Sequence, residues 1–156
     1  MIVIEMNNGK VIKLELDETA APKTVANFNK LVSEGFYDGL SFHRIIPGFM
    51  IQGGDPVGNG TGGSKENIVG EFASNGFNNP IKHVRGVISM ARAMDPNSAS
   101  SQFFIMHADA PHLDGNYAAF GHVVEGLEVV DEIANTPTDF RDKPKTPVII
   151  KRVYIA

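Results

Sequence analysis

Hydrophobic residues at the start of the chain recur at every second position and then change to a helical spacing. Residues 2–6 and 11–16 each have this alternation, and an Asn-Gly pair between them has turn chemistry. The pattern predicts a β-hairpin with one buried face. The next apolar residues have helical spacing between Pro22, which suits a first helical turn, and Gly35, which suits the end of a helix. We therefore expect an amphipathic helix after the hairpin.

Strand-like apolar runs recur through the rest of the chain, and a second helical stripe covers 127–134. With the hairpin, these runs predict eight strands and two helices. Many short strands joined by Gly- and Pro-rich turns are typical of a closed barrel or a sandwich. Two amphipathic helices could cap the open ends of a barrel. The predicted strands beyond the hairpin are 42–46, 49–52, 86–91, 102–107, 119–124 and 148–155.

Length and composition limit the class of protein. With 156 residues, 42% of them hydrophobic, the chain is predicted to form one domain over 1–156 with a single core. A formal net charge of −4 argues against general nucleic-acid binding. The chain has no cysteine, which excludes disulfides and is compatible with a reducing compartment. It shows no secretory signal pattern and no apolar run of about 20 residues, so we expect a soluble, cytoplasmic protein without membrane association.

Two local patterns look like ligand sites but lack the surroundings that such sites need. The run 58–63 has the spacing of a dinucleotide-binding fingerprint, yet Pro56 precedes it and no helical stripe follows it. We interpret it as a loop that bends sharply at its glycines. A local cluster of possible metal ligands consists of His107, Asp109 and His112. A weak metal site at this cluster is therefore an alternative interpretation. No histidine pair has the spacing of a helical zinc site, so we predict neither metal nor cofactor.

Polar residues interrupt two strand-like apolar segments. Arg44 and Gln52 occur in the segment 42–55, and Gln102 stands beside an aromatic pair in the segment 89–105. An isolated arginine in such a run is usually an exposed strand residue, and its aromatic neighbours are usually core. The residues alone leave open whether these segments form core and surface or a groove that carries chemistry.

Both segments resemble the cyclophilin family of peptidyl-prolyl cis–trans isomerases. The short motifs Leu113-Asp114-Gly115 and Phe120-Gly121 share this resemblance, which covers nearly the whole chain. It implies a mainly β fold, a closed eight-stranded antiparallel β-barrel capped by two α-helices. The compact loops look like those of the short bacterial cytosolic members. The implied function is isomerisation of X–Pro bonds in proline-containing peptide segments, assisting protein folding, by a monomer without cofactor.

The resemblance implies a role for each position that matches the family's motifs. Arg44 corresponds to the catalytic arginine. The walls of the pocket for the substrate proline correspond to Phe49, Met50, Phe104 and Leu113, and polar groups near the bound peptide correspond to Gln52 and Gln102. The strand segment along which the peptide backbone lies corresponds to Ala91, Arg92 and Ala93. Two further substrate-binding positions are His112 and Tyr117.

Three of these positions depart from the family's usual residues. Arg92 stands where Asn is common, His112 where a large aromatic residue is common, and Tyr117 where His is common. A contact made by the backbone at Arg92 can survive the change. His112 is smaller and more polar than an indole and offers less apolar contact area, so we expect only weak cyclosporin binding.

A non-catalytic proline-peptide binder, or a chaperone-like module using the same groove, is the main alternative function. Rotation about a peptide bond breaks amide resonance and has a barrier of about 18–20 kcal/mol. No covalent bond changes, so the reaction needs no nucleophile or metal. A cationic donor to the proline nitrogen does help, because that nitrogen regains a lone pair in the transition state. The presence of Arg44 favours the enzyme, since a binder could lose it freely.

Overall fold

The computed structural model describes residues 1–156 and contains eight strands, two α-helices and two short 3-10 helices. The α-helices are α1 (Pro22–Ser33) and α2 (Leu127–Ala134), and the 3-10 helices span Ala73–Asn75 and Pro111–Leu113. The strands are β1 (Ile2–Met6), β2 (Val11–Leu16), β3 (Phe42–Ile46), β4 (Met50–Gly53), β5 (Val87–Met90), β6 (Phe103–Met106), β7 (Ala119–Glu125) and β8 (Ile150–Ile155).

Five strands, β4 to β8, end or begin one or two residues away from the predicted positions, and the other three match the prediction. β4 begins after Phe49, because the Phe49 N–H closes a turn by donating to Ile46 O at 3.0 Å. β8 begins at Ile150, because Ile149 forms only an isolated bridge, with Ser41. β5 and β6 are each one residue shorter at both ends than predicted, and β7 continues one residue further, to Glu125. The two 3-10 helices were not predicted.

The first hairpin and helix form where the period predicts them. Gly9 has φ +87° in the hairpin turn, and Gly35 has φ +70° just after α1, which are conformations that glycine adopts without strain. The prediction of a single buried face is wrong for β1, because Val3 is only 2% exposed. Its direct cross-strand neighbours are Lys13 and Tyr154, whose long side chains share that face.

All eight strands pair antiparallel in one sheet, in the order β3-β4-β6-β5-β7-β2-β1-β8. The two edge strands then meet. Ser41 bridges Ile149, and Ile150 N donates to Leu40 O at 2.7 Å. These contacts join β3 to β8 and close the sheet on itself, which decides for a barrel over a sandwich. The predicted closed antiparallel barrel with two helices is confirmed.

Two apolar clusters lie on opposite faces of the barrel wall. The main cluster of 29 buried residues fills the barrel and receives the apolar stripes of both helices. A smaller cluster of seven buried residues includes Met50, Phe104 and Met106. On β6, Phe103 and Ile105 belong to the main cluster while Phe104 and Met106 belong to the smaller one, as the alternation of side chains along a strand requires. The smaller cluster therefore lies on the outside of the barrel.

Candidate active site

A row of cross-strand neighbours on the outer face of four strands forms the base of a groove. Arg44 on β3 is paired with Gln52 on β4, Gln52 with Phe104 on β6, and Phe104 with Ser89 on β5. Directly paired residues share a face of the sheet, so the register places these four side chains side by side. The arginine and glutamine that interrupt the apolar segments thus lie beside a phenylalanine of the outer cluster.

The groove contains an apolar cavity of about 140 Å³. Most of its lining belongs to the smaller cluster or packs against it, and Arg44 and Gln52 stand at its polar side. The lining residues are Arg44, Phe49, Met50, Gln52, Ala91, Arg92, Phe104, Leu113 and Tyr117. Nine of the predicted site residues, from five separate stretches of chain, therefore meet in one cavity.

A second, polar cavity of about 350 Å³ adjoins the first. The two cavities share Gln52, Ala91 and Arg92, so these residues form the ridge between them. The polar cavity brings in the predicted Ala93 and Gln102. Its other lining residues are Gly60, Thr61, Gly62, Gly63, Ser64, Asn67, Ser98 and Ser100.

A chain of side-chain hydrogen bonds orients the Arg44 guanidinium. Arg44 Nη1 donates to Gln52 Oε1 at 3.2 Å, and Gln52 Nε2 donates to Gln102 Oε1 at 3.0 Å. Gln102 Nε2 in turn donates to the carbonyl oxygens of Gly60 and Gly62 at 3.1 and 2.8 Å. The guanidinium is exposed but held on one side, and its remaining N–H groups are free to donate to a ligand.

The glycine-rich loop that receives this chain is organised by Asp55. The Asp55 carboxylate accepts hydrogen bonds from Val57 N at 2.8 Å and Gly60 N at 2.6 Å. Burial raises the pKa of Asp55, but these backbone hydrogen bonds outweigh it and leave the pKa below its ordinary value. Gly58 and Gly60 have φ of +83° and +93°. The interpretation of this run as a sharply bending loop is confirmed.

His83 lies behind the apolar cavity and is held from both ring nitrogens. Nδ1 is 3.1 Å from Asp114 Oδ1 and Nε2 is 2.8 Å from Ser89 Oγ. A carboxylate only accepts, so Nδ1 carries the proton and Nε2 accepts from the serine hydroxyl. The ring stacks on Phe104 with centroids 6.0 Å apart. Burial lowers the pKa of His83 despite the opposing effect of Asp114, which keeps the ring neutral against the cavity wall.

The Arg92 side chain connects several segments in the wall of the apolar cavity. Its guanidinium donates to Asn116 O at 2.7 Å from Nη2 and to Ala93 O at 3.0 Å from Nη1. The same group lies over the rings of Phe72 and Tyr117, 4.9 and 4.8 Å from their centroids. These contacts tie the segment after β5 to the wall that carries Tyr117.

The sequence model of the cyclophilin type peptidyl-prolyl cis-trans isomerase/CLD family matches residues 1–155. The chain belongs to this family. Its relatives carry the same activity in their names. Peptidyl-prolyl cis-trans isomerase B of Bacillus subtilis is 49% identical over 130 residues, which cover 83% of this chain and 87% of that protein. Peptidyl-prolyl cis-trans isomerase ppi1 of Schizosaccharomyces pombe is 45% identical over 156 residues, covering 99% and 98%.

Solved cyclophilin structures have the same fold. A crystal structure of a Cryptosporidium parvum cyclophilin type isomerase in the presence of the dipeptide Ala-Pro superposes with a TM-score of 0.91 at 38% identity, covering 99% of this chain and 98% of that one. The cyclophilin also matches parts of longer proteins. It spans 26% of the length of the isomerase-like 2 protein of Gibberella zeae. The prediction of a cyclophilin-type peptidyl-prolyl cis–trans isomerase is confirmed.

One predicted site residue lies outside both cavities of this cyclophilin. His112 lines neither of them. It is exposed and stacks on the outer side of Phe49, with ring centroids 5.8 Å apart. Its contact with a ligand would therefore be at the rim of the apolar cavity.

The local cluster His107, Asp109 and His112 does not converge. His107 Nδ1 accepts from Gly48 N at 2.8 Å, and Asp109 Oδ1 accepts from Arg85 N at 2.8 Å. No group of three or more His, Asp or Glu side chains in the cyclophilin is arranged to hold a metal ion. Neither α-helix has the length and hydropathy of a membrane-spanning segment.

Residues around the two cavities include several that sequence reasoning missed. His83 has no motif of its own, and its partners Ser89 and Asp114 are 6 and 31 positions away. Asn67, Ser98 and Ser100 of the polar cavity are ordinary loop residues in the sequence. Only the fold brings them to the groove, so no local signal marks them.

Proposed function

We propose that this cyclophilin isomerises X–Pro bonds of peptide segments that lie along the groove, with Arg44 as the catalytic residue. The observation that carries the proposal is the position of the Arg44 guanidinium, hydrogen-bonded to Gln52 at the polar side of an apolar cavity. An apolar cavity suits a proline ring, which is the part of the substrate that must be gripped while the rest of the peptide turns.

Arg44 accelerates rotation by donating to the proline nitrogen. The nitrogen of a planar amide has no free lone pair, and it regains one as the bond twists. A guanidinium stays charged at any working pH and has several N–H donors. The hydrogen bond is therefore stronger in the transition state than in the bound substrate, which is the condition for catalysis. The apolar walls exclude water and strengthen it further.

The remaining site residues bind and orient the peptide. In this proposal Phe49, Met50, Phe104 and Leu113 enclose the proline ring. Ala91, Arg92 and Ala93 offer backbone groups alongside the peptide, and Gln102 lines the adjoining polar cavity. Tyr117 closes the wall of the apolar cavity, and His112 contributes at its rim.

Replacing Arg44 tests the mechanism. Arg44→Ala is expected to lower kcat/KM by about 10²–10³-fold, the range for removing one such electrostatic donor. Arg44→Lys should restore only part of the activity, because lysine keeps the charge but loses the planar fork. Peptide affinity should fall much less than the rate. Exchange NMR measures isomerisation of an Ala-Pro peptide, and NMR titration measures its binding.

The control is Arg152→Ala, which removes an arginine from β8 that lines neither cavity. This variant should isomerise at the wild-type rate. Near wild-type isomerisation by folded Arg44→Ala would instead make Arg44 a binding or surface residue. Binding without isomerisation by the wild type would identify the protein as the non-catalytic binder.

Cyclosporin should inhibit weakly. In this proposal the drug occupies the same groove, and the exposed imidazole of His112 offers less apolar area than an indole at the rim. Burial is worth roughly 25 cal/mol per Å², so the loss of a large aromatic contact costs on the order of 1–3 kcal/mol. His112→Trp is expected to lower the cyclosporin Kd, with His122→Trp, an exposed histidine on β7, as the control. Equal Kd values for wild type and His112→Trp would contradict the assignment.

We also propose that residues 1–156 act as one domain and a monomer in the cytoplasm, assisting protein folding. The absence of cysteine suits a reducing compartment. Light scattering over a range of concentrations measures the oligomeric state, cell fractionation the compartment, and refolding of a proline-limited protein the assistance.

A further inference from the structure

The groove is positively charged in a protein that is negatively charged overall. The formal net charge of the chain is −4. None of the residues that line the two cavities is Asp or Glu, whereas Arg44 and Arg92 line the apolar cavity and Arg92 also lines the polar one. The side chains that line the groove therefore carry two positive charges and no negative one, although the chain as a whole is acidic.

The charge of Arg92 is not neutralised by a neighbouring acid. Arg85 and Arg152 form ion pairs with Asp131 and Glu5, at 2.6 and 2.7 Å. Neither Arg92 nor Arg44 has a carboxylate oxygen within 4.0 Å. The partners of Arg92 are carbonyl oxygens and two aromatic rings, which hold the guanidinium but leave its positive charge.

The position of that charge is also fixed. Hydrogen bonds from Nε and Nη2 to Asn116 O and from Nη1 to Ala93 O and Met94 O restrict the guanidinium, and the rings of Phe72 and Tyr117 pack against it. A ligand would not need to order a flexible side chain, so little conformational entropy is lost on binding. The polar cavity beside it offers the side-chain amide of Asn67 and the hydroxyl of Ser64, which has no hydrogen-bond partner in the protein.

We infer that Arg92 is a specificity-determining residue and that this isomerase favours substrates with an acidic side chain close to the proline. The inference rests on the proposed function, because it takes the proline to occupy the apolar cavity. A neighbouring Asp or Glu then extends over the ridge toward the polar cavity, where its carboxylate meets the fixed guanidinium and uncharged donors. A basic side chain in the same place meets like charge.

A peptide series tests the preference in the wild type. The series varies one residue at a time, placing Glu, Gln or Lys either directly before or directly after proline in otherwise identical peptides. Exchange NMR measures the isomerisation of each peptide, and titration measures its binding. At one flank, kcat/KM is expected to fall in the order Glu, Gln, Lys, by about twofold to fivefold per step, as for a partly exposed ion pair. The differences should shrink as salt is raised from about 0.01 to 1 M, because screening shortens the reach of the charge.

Three variants assign the effect to Arg92. Arg92→Gln removes the charge and should make Glu and Gln peptides equivalent. Arg92→Lys should keep the order of the peptides, even if the loss of the planar clamp lowers kcat/KM for all of them. Lys10→Gln makes the same charge change on the β1–β2 turn, outside both cavities, and should leave the wild-type order intact.

The outcomes separate this inference from the proposed function. Equal kcat/KM and Kd for Glu, Gln and Lys peptides in the wild type would overturn the inference, while Arg44-dependent isomerisation of all of them would leave the proposed function standing. An unchanged order in Arg92→Gln would also overturn it. If no peptide were isomerised, the proposed function would fail, and the order of the Kd values would still decide the charge preference.

Discussion

The amide of Gln52 links the catalytic candidate to the rest of the site. Its oxygen accepts from Arg44 Nη1 and its nitrogen donates to Gln102 Oε1. An amide has an acceptor end and a donor end, so the bond to Gln102 determines which end faces Arg44. Gln52 is partly buried, whereas the Arg44 side chain is exposed and has no other hydrogen-bond partner in the protein. We therefore propose Gln52 as a positioning residue for the guanidinium.

Replacing Gln52 should reduce the rate more than the affinity. Gln52→Leu has similar volume but frees the guanidinium, and kcat is expected to fall about tenfold, the effect of losing one hydrogen bond to a charged group. Gln52→Glu keeps an acceptor for Arg44 and should retain more of the rate. Stopped-flow or exchange measurements separate kcat from KM. A change confined to KM would show that Gln52 only contacts the peptide.

At the level of secondary-structure elements, α1 depends on a cap from a distant loop. Its N-cap residue is Ala21, which has no side-chain acceptor for the first N–H groups of the helix. Glu71 supplies one, because its Oε1 accepts from Thr24 N at 2.7 Å and Thr24 Oγ1 at 2.8 Å. The carboxylate is buried, and a negative charge is favourable at a helix N-terminus. Glu71 therefore connects the N-terminus of α1 to the long segment between β4 and β5.

Removing this cap should destabilise the fold. Glu71→Ala is expected to lower the free energy of unfolding by about 1–2 kcal/mol, the upper range for loss of an N-cap. Glu66→Ala is the matched control, since Glu66 lies in the same loop region but is exposed and pairs only with Lys30 at 3.9 Å. Urea unfolding measures both. A loss no larger for Glu71→Ala than for Glu66→Ala would show that the contact contributes nothing to stability.

Across the whole molecule, the closed sheet gives every strand an inner and an outer face, and the site uses the outer one. Two neutral histidines are buried beside it. Burial lowers the pKa of His43, with Asp55 opposing, and burial likewise lowers the pKa of His83. Both ring nitrogens of His43 lack a hydrogen-bond partner in the protein, so a proton there would be poorly solvated.

These histidines should make the fold sensitive to mild acid. In the unfolded chain, His43 and His83 have the ordinary histidine pKa of about 6.5, whereas their pKa in the native protein is lower. As the pH falls below about 6.5, the unfolded state therefore binds more protons than the native state. The free energy of unfolding is therefore expected to be constant above about pH 7 and to fall as the pH drops below 6.5. Urea unfolding between pH 5 and 8 measures it. His83→Gln should be less stable but less pH-dependent, whereas His122→Gln, an exposed control, should keep the wild-type slope; equal slopes for all three would contradict this cause.

Local information was enough for the eight strands and two α-helices, and it was enough to single out Arg44 and Gln52. The change from period two to helical spacing depends only on neighbours along the chain, as does the turn at Gly9, and both were predictable. Arg44 and Gln52 could be singled out because a polar residue in an apolar strand run is a local anomaly. The resemblance then supplied their roles and those of Phe49, Met50 and Phe104.

The tertiary structure decided what depends on residues far apart. The residues alone left open whether the strands form a barrel or a sandwich, because pairing between edge strands has no local signature. The bridge between Ser41 and Ile149 closes the sheet into a barrel. The sequence also left open which face of the barrel wall carries the side chains of Met50 and Phe104. Both are buried on the outer face, in the smaller cluster. The cap from Glu71 to Thr24 spans 47 positions, and the ring partners of Arg92 come from separate loops. Such contacts form only when the sheet closes, since nothing in the local sequence selects one distant partner over another.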